Sequence, residues 1–194
     1  MSHEIRTPLQ GVLGFASLLA RQATGKQHEY AERIMSSGRR LMDTLNAVLT
    51  LAKLEARQTD LTPELLDIDR EVRDILHTFQ RRAEERKLNL QYIAEPGIEG
   101  LMVQLDSGGL SSILHNIIGN AIKFTEQGGV TVRLGRDKHP ETGEDCIRIR
   151  VKDTGIGISP EFLPHLFDTF QQESTGFSRS HEGSGLGLSI TKRL

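Results

Sequence analysis

Tryptophan is absent from this chain of 194 residues, tyrosine occurs twice and cysteine once. So few large rings argue against a base-stacking platform for single-stranded nucleic acid. The lone Cys146 excludes an intramolecular disulfide framework and a cysteine-based zinc cage, and agrees with a reducing cytosol. There is no run of about 18 apolar residues to span a bilayer, and no signal-peptide pattern at the start. A cytoplasmic location is expected for this segment, whatever anchors a longer parent protein carries. Excess charge of either sign is missing too: 24 Lys and Arg face 26 Asp and Glu, a net charge of −2. No global basic field exists to hold nucleic acid or an anionic membrane. Glycine is scarce in one half only, with four of the 19 before residue 96 and fifteen after it. Two differently built halves are implied.

What is present begins with helical periodicity. Ile5, Leu9, Val12, Ala16 and Leu19 alternate at spacings of four and three, one stripe of a bundled helix. A turn is expected around Thr24, Gly25 and Lys26. Periodicity resumes at Tyr30 and runs through Ile34, Leu41, Leu45, Val48 and Ala52, predicting a second helix from about Gln27 to Arg57. This is an antiparallel helical hairpin. Neither helix can bury its stripe against one partner of similar width, so a four-helix homodimer is the expected completion.

After Leu61-Thr62-Pro63 the chain changes character. Strands are expected near Leu65–Ile68, Leu88–Ile93, Leu101–Asp106, Val130–Leu134 and Cys146–Lys152, with helices from about Asp69 to Lys87 and Leu110 to Phe124. This is an α+β pattern that closes as an α/β sandwich. From Asp153 the chain is glycine-punctuated and polar until a last apolar helix near Gly185. The polar stretch 172–182 reads as a mobile lid.

Residues suited to chemistry sit at the ends of these elements. Asp153-Thr154-Gly155-Ile156-Gly157-Ile158 follows a strand, so Asp153 can accept from an exocyclic amine while Gly155 and Gly157 admit a flat ligand to the backbone. Alone, the segment reads more readily as an ordinary turn. Gly183-Ser184-Gly185-Leu186-Gly187-Leu188 precedes a helix, whose free N–H groups suit a phosphate. It is neither a dinucleotide fingerprint nor a Walker loop. Asn116, Asn120 and Lys123 share a helix face, where amide oxygens suit Mg²⁺ and the ammonium suits phosphate. The bland alternative is a polar stripe on a half-buried helix. At the start, His3 lies about 200° around the helix from the apolar stripe and faces solvent beside Glu4, with Thr7 one turn on. An exposed imidazole of that kind can serve as a nucleophile or simply be inert.

Together these segments resemble a sensor histidine kinase. Ser2-His3-Glu4-Ile5-Arg6-Thr7-Pro8-Leu9 is similar to the family's H box, Asn116 to Thr125 to its N box, and Asp153 to Ile158 to its G1 box. Phe167-Asp168-Thr169-Phe170 resembles the F box, and Gly183 to Leu188 the G2 box. The five boxes stand in the family's order across nearly the whole chain.

The resemblance implies a dimerisation and phosphotransfer hairpin over residues 1–59. It implies an ATP-binding catalytic domain of the gyrase and heat-shock-chaperone superfamily over residues 60–194. His3 would be the phosphoacceptor, Glu4 would take or orient its proton, and Thr7 would position water during dephosphorylation of a response regulator. Asn120 would ligate Mg²⁺, with Asn116 and Lys123 near the triphosphate of ATP. Asp153 would hold the adenine amine and Gly155 and Gly157 would shape its pocket. Arg179, in the lid, would meet phosphate, as would the backbone of Gly183, Gly185 and Gly187. Phe167 and Phe170 would anchor the lid. The implied partners are a second copy and a response-regulator receiver domain, with neither nucleic acid nor membrane. His28, His77, His115, His139, His165 and His181 lack metal-ligand spacing and read as structural or solvated. The alternative is a nucleotide-binding or ATPase fragment of the same superfamily without autokinase activity.

Compared with the family, both ends read as cut. The first helix runs about 20 residues or 30 Å against about 31 residues or 46 Å for the second, leaving about 16 Å unpartnered. Leu45, Val48, Leu49 and Ala52 are therefore expected at an exposed apolar surface. Leu194 falls within the helix after the G2 box, so the sheet is expected to lack later strands.

Overall fold

The computed structural model describes residues 2–56, 61–173 and 184–194, with the side chains of Ser2 and His3 outside that description. These residues fall into two units. One contains the hairpin, residues 167–172 and the last helix; the other is the sandwich.

In the first unit, α1 runs Ser2–Gln22 and α2 runs Lys26–Glu55. Gly25 joins them with φ +59°, a left-handed conformation that favours glycine. His28 ties the turn back, its Nδ1 lying 2.8 Å from the Ala20 carbonyl oxygen. Pro8 stands inside α1 rather than ahead of it, and so has no N–H to give the carbonyl of Glu4.

The apolar stripe of α1 divides. Ala16 is buried at 2% exposure and Leu9 is half-buried, whereas Ile5, Val12 and Leu19 remain 45, 51 and 57% exposed. Leu9 and Leu13 close on Gly38 of α2; a Cβ there would meet Leu13 Cδ2 at 2.7 Å. Leu9, Leu13 and Ala16 form the seam because they centre some 60° around the helix from Ile5, Val12 and Leu19. Two helices meet along one narrow line, so the wider stripe keeps a second face. On α2, Val48 and Ala52 are exposed as expected, while Leu45 and Leu49 are half-buried. The last helix, α5 (Gly187–Arg193), belongs to this unit, and Arg193 pairs with Glu55 of α2 at 2.7 Å.

The second unit holds β1 (Glu64–Asp67), α3 (Ile68–Glu85), β2 (Asn89–Ala94), β3 (Met102–Leu105), α4 (Ser107–Phe124), β4 (Gly129–Lys138) and β5 (Asp145–Asp153). A short 3-10 turn follows at Leu163–His165. β1 pairs antiparallel with β3, and the main sheet has the order β2-β4-β5, the first pair parallel and the second antiparallel. A parallel pair needs a long crossover, here supplied by β3 and α4.

α3 and α4 begin on aspartates that satisfy free backbone donors. Asp67 accepts from the N–H groups of Asp69 and Arg70, and Asp106 accepts from Gly109 N at 2.6 Å. The second cap starts α4 three residues before the expected Leu110, across Gly108 and Gly109, which are poor helix formers and conceal the start in sequence. Ile68, Val72, Ile98, Leu114, Ile118, Ile122, Val130, Val132 and Leu134 are among the most deeply buried residues of the core. Each such side chain contributes about 1.5–3 kcal/mol. Beside it lies a charged knot: Asp69 is only 7% exposed, takes a hydrogen bond from the Tyr92 hydroxyl at 2.5 Å and one from Arg73 Nε at 2.9 Å. The Arg73 guanidinium also lies over the Tyr92 ring. The Arg73 hydrogen bond holds the Asp69 carboxyl below the usual carboxylate range against the opposing cost of burial, with the Tyr92 hydrogen bond adding to it. Burial first, then the bond to Asp69, raises the Tyr92 phenol.

Candidate ATP-binding and phosphoacceptor sites

α4 buries Leu110, Leu114, Ile118, Ala121 and Ile122. Asn116, Asn120 and Lys123 follow on an adjacent face, each half-buried. Lys123 Nζ lies 4.7 Å from the centroid of the Phe124 ring. No protein group among the described residues hydrogen-bonds the Asn120 amide, although it sits half-buried within a packed helix. A hard oxygen left available in that way fits a Mg²⁺ that draws its other ligands from water and phosphate. The described residues contain no cluster of three His, Cys, Asp or Glu side chains to hold a metal by themselves. The described histidines among those read as structural take part in no such cluster; His181 lies outside the described residues.

The segment after β5 turns back on the end of α4. Asp153 Oδ1 accepts from Gly155 N at 2.9 Å, which leaves Oδ2 without a described partner, on an exposed side chain. Ile156 N donates to the carbonyl oxygen of Phe124 at 3.2 Å. The absent side chain at Gly155 is thereby explained differently from the expectation. A Cβ there would come within 2.5 Å of the Phe124 oxygen and 2.8 Å of Asp153 Oδ1, so the space is taken by the protein itself. Gly157 keeps φ +73°, and a Cβ there would have nothing within 4 Å, so the space around it is open. The Thr154 hydroxyl donates to the Gln127 carbonyl at 2.9 Å and accepts from Gly129 N at 3.0 Å. That hydroxyl, which sequence reasoning passed over, locks the strand end to the Gly128-Gly129 turn; the glycine pair facing a threonine was the available signal.

α4 and this turn thus bring Asn116, Asn120, Lys123, Asp153, Gly155 and Gly157 into one unit. Gly185 and Gly187 belong to the unit of the hairpin. Gly185 has φ +69°, and its carbonyl accepts from Phe170 N at 3.0 Å. Phe167 and Phe170 stay 41 and 63% exposed, so neither ring anchors by burial. The tether is instead that backbone bond and the Lys192 ammonium, 5.3 Å from the Phe167 ring centroid. Arg179, Gly183 and most of the expected lid lie outside the described residues. In α1, Glu4 and Thr7 are exposed, while the side chain of His3 lies outside the description.

Two family models match this chain. Residues 1–57 match the His Kinase A (phospho-acceptor) domain, and residues 105–194 match the histidine kinase-, DNA gyrase B- and HSP90-like ATPase. Among its relatives is hybrid signal transduction histidine kinase L of Dictyostelium discoideum, 35% identical over 100% of this chain and 11% of that protein. Sensor histidine kinase AruS of Pseudomonas aeruginosa is 37% identical over 100% of this chain and 19% of its own length. A solved structure, that of full-length ShkA in complex with AMPPNP, shares 35% identity at a TM-score of 0.73, covering 99% of this chain and 38% of that one. The chain therefore spans a minor part of these relatives. The phospho-acceptor match on the hairpin and the ATPase match on the segment that follows stand in the order of the sensor histidine kinases, and the chain belongs to that family.

Proposed function

We propose that this chain transfers the γ-phosphoryl group of ATP to His3 and then passes it to an aspartate of a response-regulator receiver domain. The observation that carries the reading is the coexistence of a matched phosphoacceptor hairpin, with an exposed Glu4 and Thr7, and a matched ATPase-type sandwich in which Asp153 and Asn120 keep uncommitted oxygens.

Asp153 accepts the adenine amine through Oδ2 while Oδ1 stays fixed on Gly155 N. A guanine, with a carbonyl oxygen at that place, is repelled. Lys123 holds phosphate oxygens, with Arg179 and the backbone of Gly183, Gly185 and Gly187 assigned the same role by family resemblance alone. Asn120, with Asn116 beside it, would hold Mg²⁺, which when bound would supply positive charge to offset that of the phosphates. A ring nitrogen of His3 attacks the γ-phosphorus with its lone pair, the bond to the bridging oxygen breaks, and ADP leaves with that electron pair. Glu4 accepts the proton from the other ring nitrogen, which keeps the attacking one nucleophilic. The phosphorus–nitrogen bond then breaks as the receiver carboxylate attacks. In the opposing dephosphorylation, Thr7 orients water onto the receiver's acyl phosphate, releasing inorganic phosphate and the free carboxylate.

The exposed faces of α1 and α2 support a homodimer. Ile5, Val12 and Leu19 with Ile34, Leu41 and Val48 leave apolar surface uncovered, and Val12, Ile34, Gly38 and Leu41 line an open groove of about 390 Å³ on the hairpin. A second copy would cover that face with the same residues.

Incubation with γ-labelled ATP and Mg²⁺ tests the reading. Acid-labile label is expected on the wild-type chain and on no His3→Gln protein, and Asp153→Asn is expected to weaken ATP binding about tenfold or more. Label that survives His3→Gln overturns the assignment, and phosphate release without any phosphoprotein indicates an ATPase fragment instead.

A further inference from the structure

The main sheet has a second face that none of the chemistry above uses. α3 and α4 pack on the side that carries Val130, Val132 and Leu134 with Ile149 and Val151. Because side chains alternate along a strand, Thr131, Arg133, Arg150 and Lys152 point the other way. They form successive rungs, Thr131 opposite Lys152 and Arg133 opposite Arg150, and beyond the first of these Thr154 N donates to the Gly129 carbonyl at 3.2 Å. The six residues line an open groove of about 360 Å³.

The charge on this face is unbalanced in a specific place. On the next rung, Arg148 is neutralised by Asp137, with Glu95 at 3.9 Å. Arg133, Arg150 and Lys152 are exposed, and none of them makes an ion pair or side-chain hydrogen bond among the described residues. Two guanidinium groups directly opposite each other on adjacent strands repel, a pairing that sheets ordinarily avoid. Asp153 gives no relief, since it alternates to the other face.

We propose that this groove binds an extended, carboxylate-rich polypeptide segment. Arg150 and Lys152 are two residues apart on one strand, which separates them by about 6.8 Å. An extended peptide repeats its same-face side chains at that interval, so acidic residues at alternate positions meet Lys152 on one rung and the Arg133 and Arg150 pair on the next. A single phosphate reaches only one rung. The flanking groups are Asn89, Gln91 and Ile93 of β2, in register with Gly129, Thr131 and Arg133; no aromatic ring is among them, so a nucleic-acid base has nothing to stack on. The partner lies outside the ATP and His3 chemistry and is recognised by charge and spacing.

Fluorescence anisotropy of the full chain with a labelled peptide alternating glutamate and threonine tests this. Binding is expected to weaken steeply with salt and to fall about tenfold in Arg133→Glu and in Arg150→Glu, each of which loses charge-assisted pairs. Arg70→Glu on α3 is expected to bind as wild type. A peptide of the same composition with its glutamates in one block is expected to bind more weakly. Thermal unfolding checks each variant, and Arg133→Gln and Arg150→Gln replace any reversal that does not fold. Unchanged binding in the folded Arg133 and Arg150 variants, or equal binding of the blocked peptide, overturns the proposal. So does tighter binding of a single-stranded oligonucleotide.

Discussion

The backbone N–H of Ile156 donates to the carbonyl oxygen of Phe124 at 3.2 Å, fastening the turn after β5 to the last residue of α4. Asn120 lies one turn before that carbonyl and Asp153 three residues before that N–H. One hydrogen bond therefore couples the residue proposed for the metal to the residue proposed for adenine.

Gly155→Ala forces that junction apart. Its new methyl would stand 2.5 Å from the Phe124 oxygen, a backbone atom that cannot swing aside. A loss of about 1–3 kcal/mol in urea unfolding is expected, together with weaker ATP binding by calorimetry. Gly157→Ala meets no atom within 4 Å but must take φ +73°, so its stability cost comes from the backbone alone and is expected to be about 1–2 kcal/mol.

Acid sensitivity should centre on Asp69. Its folded carboxyl titrates below the ordinary 3.8, so its contribution is fully present above that value and is lost as pH falls through the lowered one. Tyr92→Phe removes a donor to a carboxylate that is 7% exposed. A cost of about 1–3 kcal/mol at neutral pH is expected, with a shallower loss of melting temperature on acidification. An unaltered pH profile would show that Asp69 is not the source.

The hairpin seam should reject bulk at Gly38. A Cβ there already meets Leu13, whose side-chain end can shift, but the branched chain of Gly38→Leu would also reach Leu9. Overpacking of about 1–3 kcal/mol is expected, read as a lower melting temperature of the helical unit and a reduced dimer fraction in sedimentation.

Relief of repulsion predicts the opposite sign on the open sheet face. Arg133→Thr removes one of two like charges on the Arg133 and Arg150 rung and inserts a good strand former. Stabilisation of about 0.2–1 kcal/mol is expected, greatest at low salt, and a destabilised variant would mean that Arg133 packs more usefully than it repels.

Much of this was legible beforehand because periodicity and turn chemistry are local. The four-and-three spacing of Ile5 to Leu19 predicts a helix without knowledge of its neighbour, and alternation in Val130–Leu134 predicts a strand. The start of α4 was not, because the pairing that decides it joins Asp106 to Gly109 through a side chain and overrides two glycines. Nor was the role of Gly155, since the atom it makes room for is 31 positions away in sequence.

The sequence by itself determined the order of the parts: an amphipathic hairpin headed by His3, then a glycine-rich domain with Asn116 and Asn120 on one helix face and Asp153 at the end of a strand. Composition and spacing are properties of the chain, and they survive any arrangement of it. Which apolar residues of α1 close on α2 and which remain outside was decided only in three dimensions. So were the junction of Ile156 with Phe124 and the isolation of Arg133, Arg150 and Lys152 from every carboxylate on their sheet face among the described residues. These depend on which atoms meet across long stretches of sequence, and packing alone settles that.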